Sequence, residues 1–268
     1  MIMFFLYQII LTLILLFSPI IIIIRLLKKK EDYKRFREKF AFTTKFRSKR
    51  NLIWFHGASV GELLSIIPLI KYYEKKKNID QILVTSSTVS SSKVLKKFKL
   101  KKTIHQFYPV DHFYFTNRFL NFWKPKVAIF IESEIWPCMF KNLENKKIPL
   151  ILLNARLTEK TFNRWMKIKN FTKSIFGKIK ISYPQNLETK KYLKKINSTK
   201  INHIGNLKFI ENKLPENSKE KKKLKKQFKN RNIWVATSTH LGEEEFCAKA
   251  HLELKKRVKN PLTIIIPR

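Results

Sequence analysis

The sequence predicts an α/β fold in which a parallel sheet is covered by helices on both faces, and three observations support this prediction. From Asn51 onward, strand-like and helix-like segments alternate regularly along the chain. Tight polar turns, such as 57–61, separate an apolar strand from the helix that follows it. With 268 residues, 44% of them hydrophobic, the chain can bury a sizeable core in one large domain or two small ones.

The strands and helices of the main predicted domain lie between residues 51 and 210. Strands are predicted at 51–56, 81–86, 103–107, 127–131, 149–153, 180–182 and 201–204. Helices are predicted from Glu62, after the turn at 85–92, and over 112–123, 135–145, 159–176 and 185–195. Ligands of such folds lie at the carboxyl ends of the strands. We therefore expect a binding site among the turns at 57–62, 86–92, 132–134 and 154–158.

Residues 1–27 are predicted to form a membrane-anchor helix. The segment 2–27 is almost unbroken apolar sequence and is long enough to cross a bilayer about 30 Å thick. Its C-terminal flank is basic, with Arg25 and lysines at 28–30, so the positive-inside rule predicts that the rest of the chain lies on the cytoplasmic side of the inner membrane. An alternative is a helix that lies in one leaflet, because Pro19 could break the span.

Basic residues dominate the charge of the chain. Its 57 Lys and Arg residues outnumber 19 Asp and Glu residues, which gives a formal net charge of +38. This excess predicts an anionic partner: nucleic acid, anionic lipid or a phosphorylated substrate. Segment 28–50 combines cations with aromatic residues, as expected for a basic amphipathic segment on an anionic membrane surface or for a solvated amphipathic helix. Cys138 and Cys247 lack the spacing of a metal site or a disulfide framework.

A second unit is predicted after a linker over 211–231 that contains a solvated, Lys-rich helix. From 232 to 268 the pattern is strand, turn, helix and strand, at 233–236, 237–240, 242–258 and 262–266. This pattern is typical of the beginning of another βαβ arrangement.

Carboxylates at the predicted strand ends are the candidate catalytic groups. Glu62 lies in the first turn of a helix, where the helix dipole favours an anion that can accept a proton; a favourable first-turn charge is the simpler interpretation. Glu132 and Glu134 follow another strand, where either could orient a substrate hydroxyl or Lys208, or could be a helix-start charge. Lys208 could stabilise developing negative charge or be a solvated surface cation.

Two further turns offer groups for an anionic ligand. Arg156 follows a buried strand, and its guanidinium could bind a phosphate or carboxylate through two parallel hydrogen bonds or could form a structural ion pair. Thr239 and His240 precede the first helix of the second unit, where the helix N-terminus is a natural phosphate site. A lone histidine at such a position is more often structural than catalytic.

Seven short stretches carry a more specific signal. They are Trp-Phe-His-Gly-Ala-Ser-Val-Gly-Glu (54–62), Tyr-Pro-Val-Asp (108–111), Glu-Ser-Glu-Ile-Trp-Pro (132–137), Asn-Ala-Arg-Leu (154–157), Gly-Asn-Leu-Lys-Phe (205–209), Ser-Thr-His (238–240) with Gly-Glu-Glu-Glu (242–245), and Ile-Ile-Pro-Arg (265–268). In this order, after an N-terminal apolar segment, they resemble the membrane-associated 3-deoxy-D-manno-octulosonic acid (Kdo) transferases. The resemblance covers nearly the whole chain.

The resemblance implies a GT-B glycosyltransferase, with two Rossmann-like halves that face each other across a cleft and with no cofactor or metal. Such an enzyme transfers Kdo from CMP-Kdo to the lipid A precursor, lipid IVA. Glu62 matches the general base of the family, Glu132 and Lys208 match groups that support the transition state, and Pro267 and Arg268 match the start of the CMP-binding set. We also expect contacts with the acceptor or donor from Ser59, Gly61, Arg156, Thr239 and His240.

The sequence stops early in the donor half of this architecture and lacks the later CMP-contacting loops, so we expect the chain alone to turn over little. The main alternative is a non-catalytic, membrane-tethered basic protein that binds anionic lipid or nucleic acid. No DNA- or RNA-binding motif is visible, so no nucleic-acid partner is expected. A different GT-B glycosyltransferase is a further alternative, which the seven stretches disfavour.

Overall fold

The computed structural model describes residues 2–48, 51–196, 200–209 and 218–267, and the chain divides into two compact units, Met1–Ile210 and Glu211–Arg268. The first unit contains the strands β1 (Leu52–His56), β2 (Gln81–Ser86), β3 (Thr103–Phe107), β4 (Val127–Ile131), β5 (Leu150–Ala155) and β6 (Ile181–Pro184). They form one parallel sheet in the order β3-β2-β1-β4-β5-β6. The predicted α/β fold with a parallel sheet is confirmed.

Helices cover both faces of this sheet. Those of the first unit are α1 (Ile2–Leu16), α2 (Ser18–Leu27), α3 (Val60–Glu74), α4 (Val89–Lys96), α5 (Phe113–Trp123), α6 (Pro137–Asn145), α7 (Glu159–Met166), α8 (Lys169–Phe176) and α9 (Leu187–Lys195). Neighbouring residues of β1 point to opposite faces, so Trp54 and Phe55 are fully buried in two different cores. Helices α5 and α6 contribute Phe119 and Phe140 to the Trp54 core, and α3 contributes Ile66 to the Phe55 core.

The strand order reverses between β1 and β4, which makes their carboxyl ends the topological switch point of the sheet. Crossover connections from these two strands lead to opposite sides and leave a crevice between them. The turns after β1 and β4 therefore lie where this class of fold binds its ligands.

The N-terminal apolar segment forms two helices, so the prediction of one helix over 1–27 is wrong. Among the described residues, no single helix is long and apolar enough to cross a membrane, and α1 and α2 reach that length only as a pair bent by 56°. The break falls at Phe17, two residues before Pro19. Proline has no N–H to bond to the preceding turn, but it fits the first turn of a new helix.

Polar side chains of α1 bind the start of α6. The Tyr7 hydroxyl donates to Asp111 (2.9 Å), and the same carboxylate accepts from the backbone N–H groups of Cys138 (3.0 Å) and Met139 (2.9 Å). Burial raises the pKa of Asp111 to about 7, although these hydrogen bonds oppose the shift. Gln8 of α1 also contacts the Cys138 thiol. These contacts hold α1 against the sheet domain.

The described part of segment 28–50 is not one amphipathic helix, whereas its position on a membrane surface stays a prediction. Residues Phe36–Phe40 form a 3-10 turn, and the Glu38 side chain is fully buried. Its carboxylate accepts from Arg35 Nε (2.9 Å) and Nη2 (2.8 Å), from Phe107 N (2.8 Å) and from the Thr44 hydroxyl. The segment is therefore fastened to edge strand β3 because an internal ion pair and a backbone donor satisfy this buried charge.

Two other predicted elements differ from the structure. The helix predicted at 159–176 is broken into α7 and α8. At the break the Trp165 carbonyl accepts from Ile168 N (3.1 Å) and from the buried Thr172 hydroxyl (2.6 Å). The strand predicted at 201–204 is a single bridge between Ser182 and Ile201. The pairing extends no further because the next backbone hydrogen bond from β6 would need an N–H at Pro184, and proline has none.

The second unit contains α10 (Ser218–Gln227), β7 (Asn232–Thr239), α11 (Glu243–Arg257) and β8 (Pro261–Pro267), with β7 and β8 parallel. The predicted strand–helix–strand order is present. The turn predicted at 237–240 is wrong, because β7 continues to Thr239 in register with β8 and bulges there. The chain then turns at Gly242, whose φ of +94° suits glycine, and α11 begins.

We predict that Glu38→Ala lowers the free energy of unfolding by about 3–5 kcal/mol, because it leaves the Arg35 guanidinium and the Phe107 N–H buried without their partner. Urea unfolding followed by circular dichroism measures the change. Glu144→Ala is the matched control, because Glu144 is half exposed and its pairs with Lys141 and Lys178 are worth about 1 kcal/mol or less. Equal losses in the two variants would contradict the prediction.

Candidate active site

Glu62 is held at the switch point by a capping arrangement at the start of α3. Ser59 is the N-cap, and its hydroxyl accepts from Glu62 N (3.3 Å) while it donates to Glu62 Oε1 (3.0 Å). The other carboxylate oxygen accepts from Ala58 N (2.7 Å). The arrangement resembles the capping box of a Ser-x-x-Glu spacing, except that the glutamate accepts from the N–H of the residue before the N-cap. A Cβ at Gly57 would lie 3.1 Å from Glu62 Cβ, so glycine gives the side chain room beside β1.

The electrostatic environment of Glu62 favours proton uptake. Burial raises the pKa of this carboxyl above its usual range, and the charge of Glu134 and then that of Glu132 add to the effect. Hydrogen bonds from Ser59 and Ala58 oppose the shift. The direction is opposite to that expected from the helix dipole alone, because burial and two neighbouring anions outweigh it. A higher pKa makes Glu62 a better proton acceptor at neutral pH.

His56 holds Glu134 beside this site. The fully buried His56 is the last residue of β1, and its Nε2 lies 3.1 Å from Glu134 Oε2, which also accepts from Trp136 Nε1 (2.8 Å). Burial alone would raise the pKa of Glu134, but these two hydrogen bonds and the interaction with His56 lower it below the usual range. The ionised carboxylate can only accept, so His56 Nε2 carries the hydrogen. The other ring nitrogen contacts Thr85 Oγ1 (2.9 Å).

Glu132 and Lys208 form an ion pair between sequence-distant turns. Lys208 Nζ lies 2.7 Å from Glu132 Oε1, and the Glu132 side chain is almost completely buried. Asn154, at the end of β5, fixes the turn that carries the lysine, because its Oδ1 accepts from Leu207 N (3.0 Å). Of the two carboxylates that could orient Lys208 according to the sequence, Glu132 is the one that contacts it.

The backbone at these strand ends adopts an unusual conformation. Glu132 and Asn154 have φ values of +56° and +53°, in the left-handed region that non-glycine residues rarely adopt. The two turns are joined by hydrogen bonds from Glu132 N to Leu153 O (3.0 Å) and from Arg156 N to Glu132 O (3.3 Å). Left-handed residues of this kind concentrate at functional sites, where neighbouring contacts hold them in place.

The remaining predicted residues occupy different positions. Gly61 is exposed in the first turn of α3, with open space where a Cβ would lie. Arg156 is exposed beside Lys208, at a polar cavity described below. In the second unit, Thr239 Oγ1 donates to Glu244 (2.7 Å) and His240 N donates to Glu243 (2.8 Å), so carboxylates of α11 occupy the position predicted for a phosphate. Pro267 ends β8, and Arg268 lies outside the described residues.

Sequence reasoning missed two residues that organise the site. His56 is the last residue of a buried strand, and the rule that ligands lie at strand ends could have identified it. Asn154 lies in one of the seven stretches but is not among the predicted site residues. Its contact with Leu207 joins residues that are 53 positions apart. Within the described ranges, no group of three or more His, Cys, Asp or Glu side chains could hold a metal ion.

We predict that Glu134→Gln lowers the pKa of Glu62, because it removes a nearby negative charge that disfavours ionisation of Glu62. Carbon NMR of ¹³C-labelled glutamate carboxyls over a pH titration measures the shift, with Glu62→Gln used to assign the resonance. Glu144→Gln, at an exposed pair with Lys141 and Lys178, should leave the Glu62 titration unchanged. An unchanged or higher pKa in the Glu134→Gln protein would show that the two carboxyls are not coupled.

Comparisons with known proteins concern the family and the fold of the chain. Residues 34–211 match the family model described as 3-deoxy-D-manno-octulosonic-acid transferase (kdotransferase). A 3-deoxy-D-manno-octulosonic acid transferase of Rickettsia bellii is 40% identical over 252 residues, which cover 93% of this chain and 59% of that protein. The Rickettsia felis transferase is 39% identical over 225 residues, which cover 82% of this chain and 47% of that protein. The chain thus spans about half to three fifths of their length.

Solved structures show the same fold in more distant proteins. A UDP-GlcNAc 2-epimerase from Neisseria meningitidis, bound to UDP-GlcNAc, superposes with a TM-score of 0.56 over 80% of this chain and 64% of that chain. At 17% identity this likeness concerns the fold alone. The identity to the transferases and the family match over 34–211 are more specific. The chain belongs to the 3-deoxy-D-manno-octulosonic acid transferase family, whose members are glycosyltransferases.

Proposed function

We propose that this chain is the acceptor-side part of an inverting GT-B glycosyltransferase that moves Kdo from CMP-Kdo to the lipid A precursor, lipid IVA. The observation that carries the proposal is the Glu62 carboxylate, fixed by Ala58 N and Ser59 Oγ at the switch point of the sheet. The neighbouring Glu132–Lys208 ion pair supplies a cation for the leaving group. A fixed carboxylate and a cation at one crevice meet the two chemical needs of glycosyl transfer.

The acceptor hydroxyl is the nucleophile of the proposed step. Glu62 takes its proton while the oxygen forms a bond to the anomeric carbon of Kdo. The bond from that carbon to the CMP phosphate oxygen breaks, and CMP leaves with the electron pair. Attack on the face opposite the leaving group inverts the anomeric carbon. Lys208, oriented by Glu132, stabilises the negative charge on the phosphate, and Glu134 raises the proton affinity of Glu62.

The membrane position of the enzyme is part of the proposal. Helices α1 and α2 leave large apolar side chains exposed along most of their length, and a basic segment follows them. We propose that they anchor the chain in the inner membrane, with the sheet domain on its cytoplasmic side, where an anionic lipid surface attracts the basic residues.

We predict that the chain pellets with membranes and stays there in 1 M salt, because apolar burial of α1 and α2, rather than charge, holds it. Fractionation followed by immunoblotting measures this. In sealed vesicles with the cytoplasmic face inside, added protease should spare residues beyond Lys30. Release by salt would contradict insertion, and digestion beyond Lys30 would contradict the orientation.

Catalysis is tested in the chain fused to the remaining C-terminal part of the Rickettsia bellii relative, because the match covers 59% of that protein. We predict that Glu62→Gln lowers the transfer rate about 10²–10⁴-fold, since glutamine keeps the hydrogen bonds but cannot take the proton. Transfer of radiolabelled Kdo to lipid IVA measures the rate.

The matched control for catalysis is Glu144→Gln, at an exposed ion pair, which should transfer Kdo at the parent rate. If Glu62→Gln also kept the parent rate, Glu62 would not be the base. Equal competition by an oligonucleotide and by lipid IVA at physiological salt, with no transfer in the fused protein, would favour a non-catalytic basic binding protein.

A further inference from the structure

A polar cavity of about 370 Å³ lies beside Lys208, at the carboxyl ends of β5 and β6. All of its lining residues except Leu157 are polar. Its volume is at the lower end of the range of about 300–1,000 Å³ for small-molecule sites, which suits one sugar ring rather than an acyl chain or a dinucleotide. The side chains that the ligand would meet are Arg156, Glu159, Gln185, Asn186, Glu188 and Asn206.

Arg156 projects into this cavity from a rigid strand end. Its N–H donates to Glu132 O (3.3 Å) and its carbonyl accepts from Ser133 Oγ (2.9 Å), so two contacts with the turn after β4 fix its backbone. Its guanidinium makes no hydrogen bond or ion pair with any residue of the described ranges. Lys208, the other cation of the cavity, is already paired with Glu132. Arg156 is therefore the cation that a ligand anion would meet first.

The two helices that begin at the cavity do not supply this anion site. The N-cap Thr158 of α7 accepts from Thr161 N (3.3 Å), and the N-cap Asn186 of α9 accepts from Thr189 N (2.8 Å). Because the helices are capped by their own side chains, recognition falls to the side chains of the cavity.

The charged side chains that line the cavity indicate which chemical class of ligand it can bind. Arg156 can bind one carboxylate or phosphate through two parallel hydrogen bonds. Glu159 and Glu188 would repel a second anionic group but accept hydrogen bonds from hydroxyls, and the amides of Gln185 and Asn206 can do both. A polyphosphate is disfavoured by the carboxylates, and an apolar ligand by the lining as a whole.

We propose that this cavity binds a sugar that carries a single anionic group, with the carboxylate or phosphate on Arg156 and the hydroxyls on Glu159 and Glu188. The inference rests on the proposed function, because it supplies a sugar subsite next to the Glu132–Lys208 pair. The carboxylate of the transferred sugar acid and the phosphate of a glucosamine acceptor share this chemistry.

Binding to the chain in detergent tests the proposal. Isothermal titration with free Kdo and with glucosamine 1-phosphate distinguishes the two sources, and N-acetylglucosamine is the uncharged reference. At least one anionic sugar should bind saturably and more tightly than the reference. Arg156→Gln should weaken that sugar at least about tenfold, the effect of losing a charge-assisted pair, and Arg156→Lys should weaken it less.

The matched control is Arg164→Gln, which removes an exposed cation of α7 that does not line the cavity and should change binding less than about twofold. Equal weakening by Arg156→Gln and Arg164→Gln would overturn the proposal in favour of general attraction to a basic surface. The proposal would also be overturned if neither of the two anionic sugars bound saturably.

Transfer assays separate failure of the subsite from failure of the proposed function. If the fused enzyme with Arg156→Gln transfers Kdo with unchanged KM for donor and acceptor, the cavity inference fails while the proposed function stands. If the chain binds an anionic sugar through Arg156 but the fused enzyme transfers no Kdo, the proposed function fails while the subsite stands.

Discussion

Parallel pairing of all six strands is the constraint on which the site depends, because it brings every strand end to one edge of the sheet. The residues that follow β1, β4 and β5 are far apart in sequence but become neighbours through the ladders β1–β4 and β4–β5. Buried aromatic residues such as Trp54 on one face and Phe55 on the other hold the strands in register. The functional groups at this edge are thus positioned by the buried core of the sheet.

The site consists of three carboxylates, each held differently. Glu62 is fixed by a helix cap, Glu134 by a buried histidine and an indole, and Glu132 by an ammonium group. The hydrogen bonds to Glu134 lower its pKa and keep it charged, whereas burial and the charges of its neighbours make Glu62 easier to protonate. Pairs of carboxyl groups whose pKa values are driven apart are a common means of assigning different acid–base roles.

Two left-handed residues show the conformational cost of this arrangement. Such a conformation costs about 1–2 kcal/mol for a residue with a Cβ, less for asparagine. The cost at Glu132 and Asn154 is offset by hydrogen bonds between the turns and by the Leu207 N–H. Leu207 is itself buried against the α3 side of the sheet, so the loop carrying Lys208 is held by an apolar contact and a polar one.

Features that depend on local spacing could be predicted from the amino-acid sequence. Alternating strand and helix patterns predicted the parallel sheet and placed Glu62 in the first turn of a helix, because both signals act over a few residues. The strand ends also indicated where Glu132 and Arg156 would lie. Burial, however, is a property of the assembled fold, so the raised pKa of Glu62 and the internal position of Glu38 could not be read from neighbours in the chain.

Contacts between groups that are distant in the sequence became visible only in the folded protein. The N–H that donates to Asn154 comes from a residue 53 positions away, and the histidine that contacts Glu134 lies 78 positions away. The periodicity of the sequence does not predict such contacts. The strand predicted at 201–204 failed for a related reason: its partner β6 ends at a proline, so pairing was limited by the neighbour rather than by its own residues. Local pattern determines which elements form, and packing determines what each polar group faces.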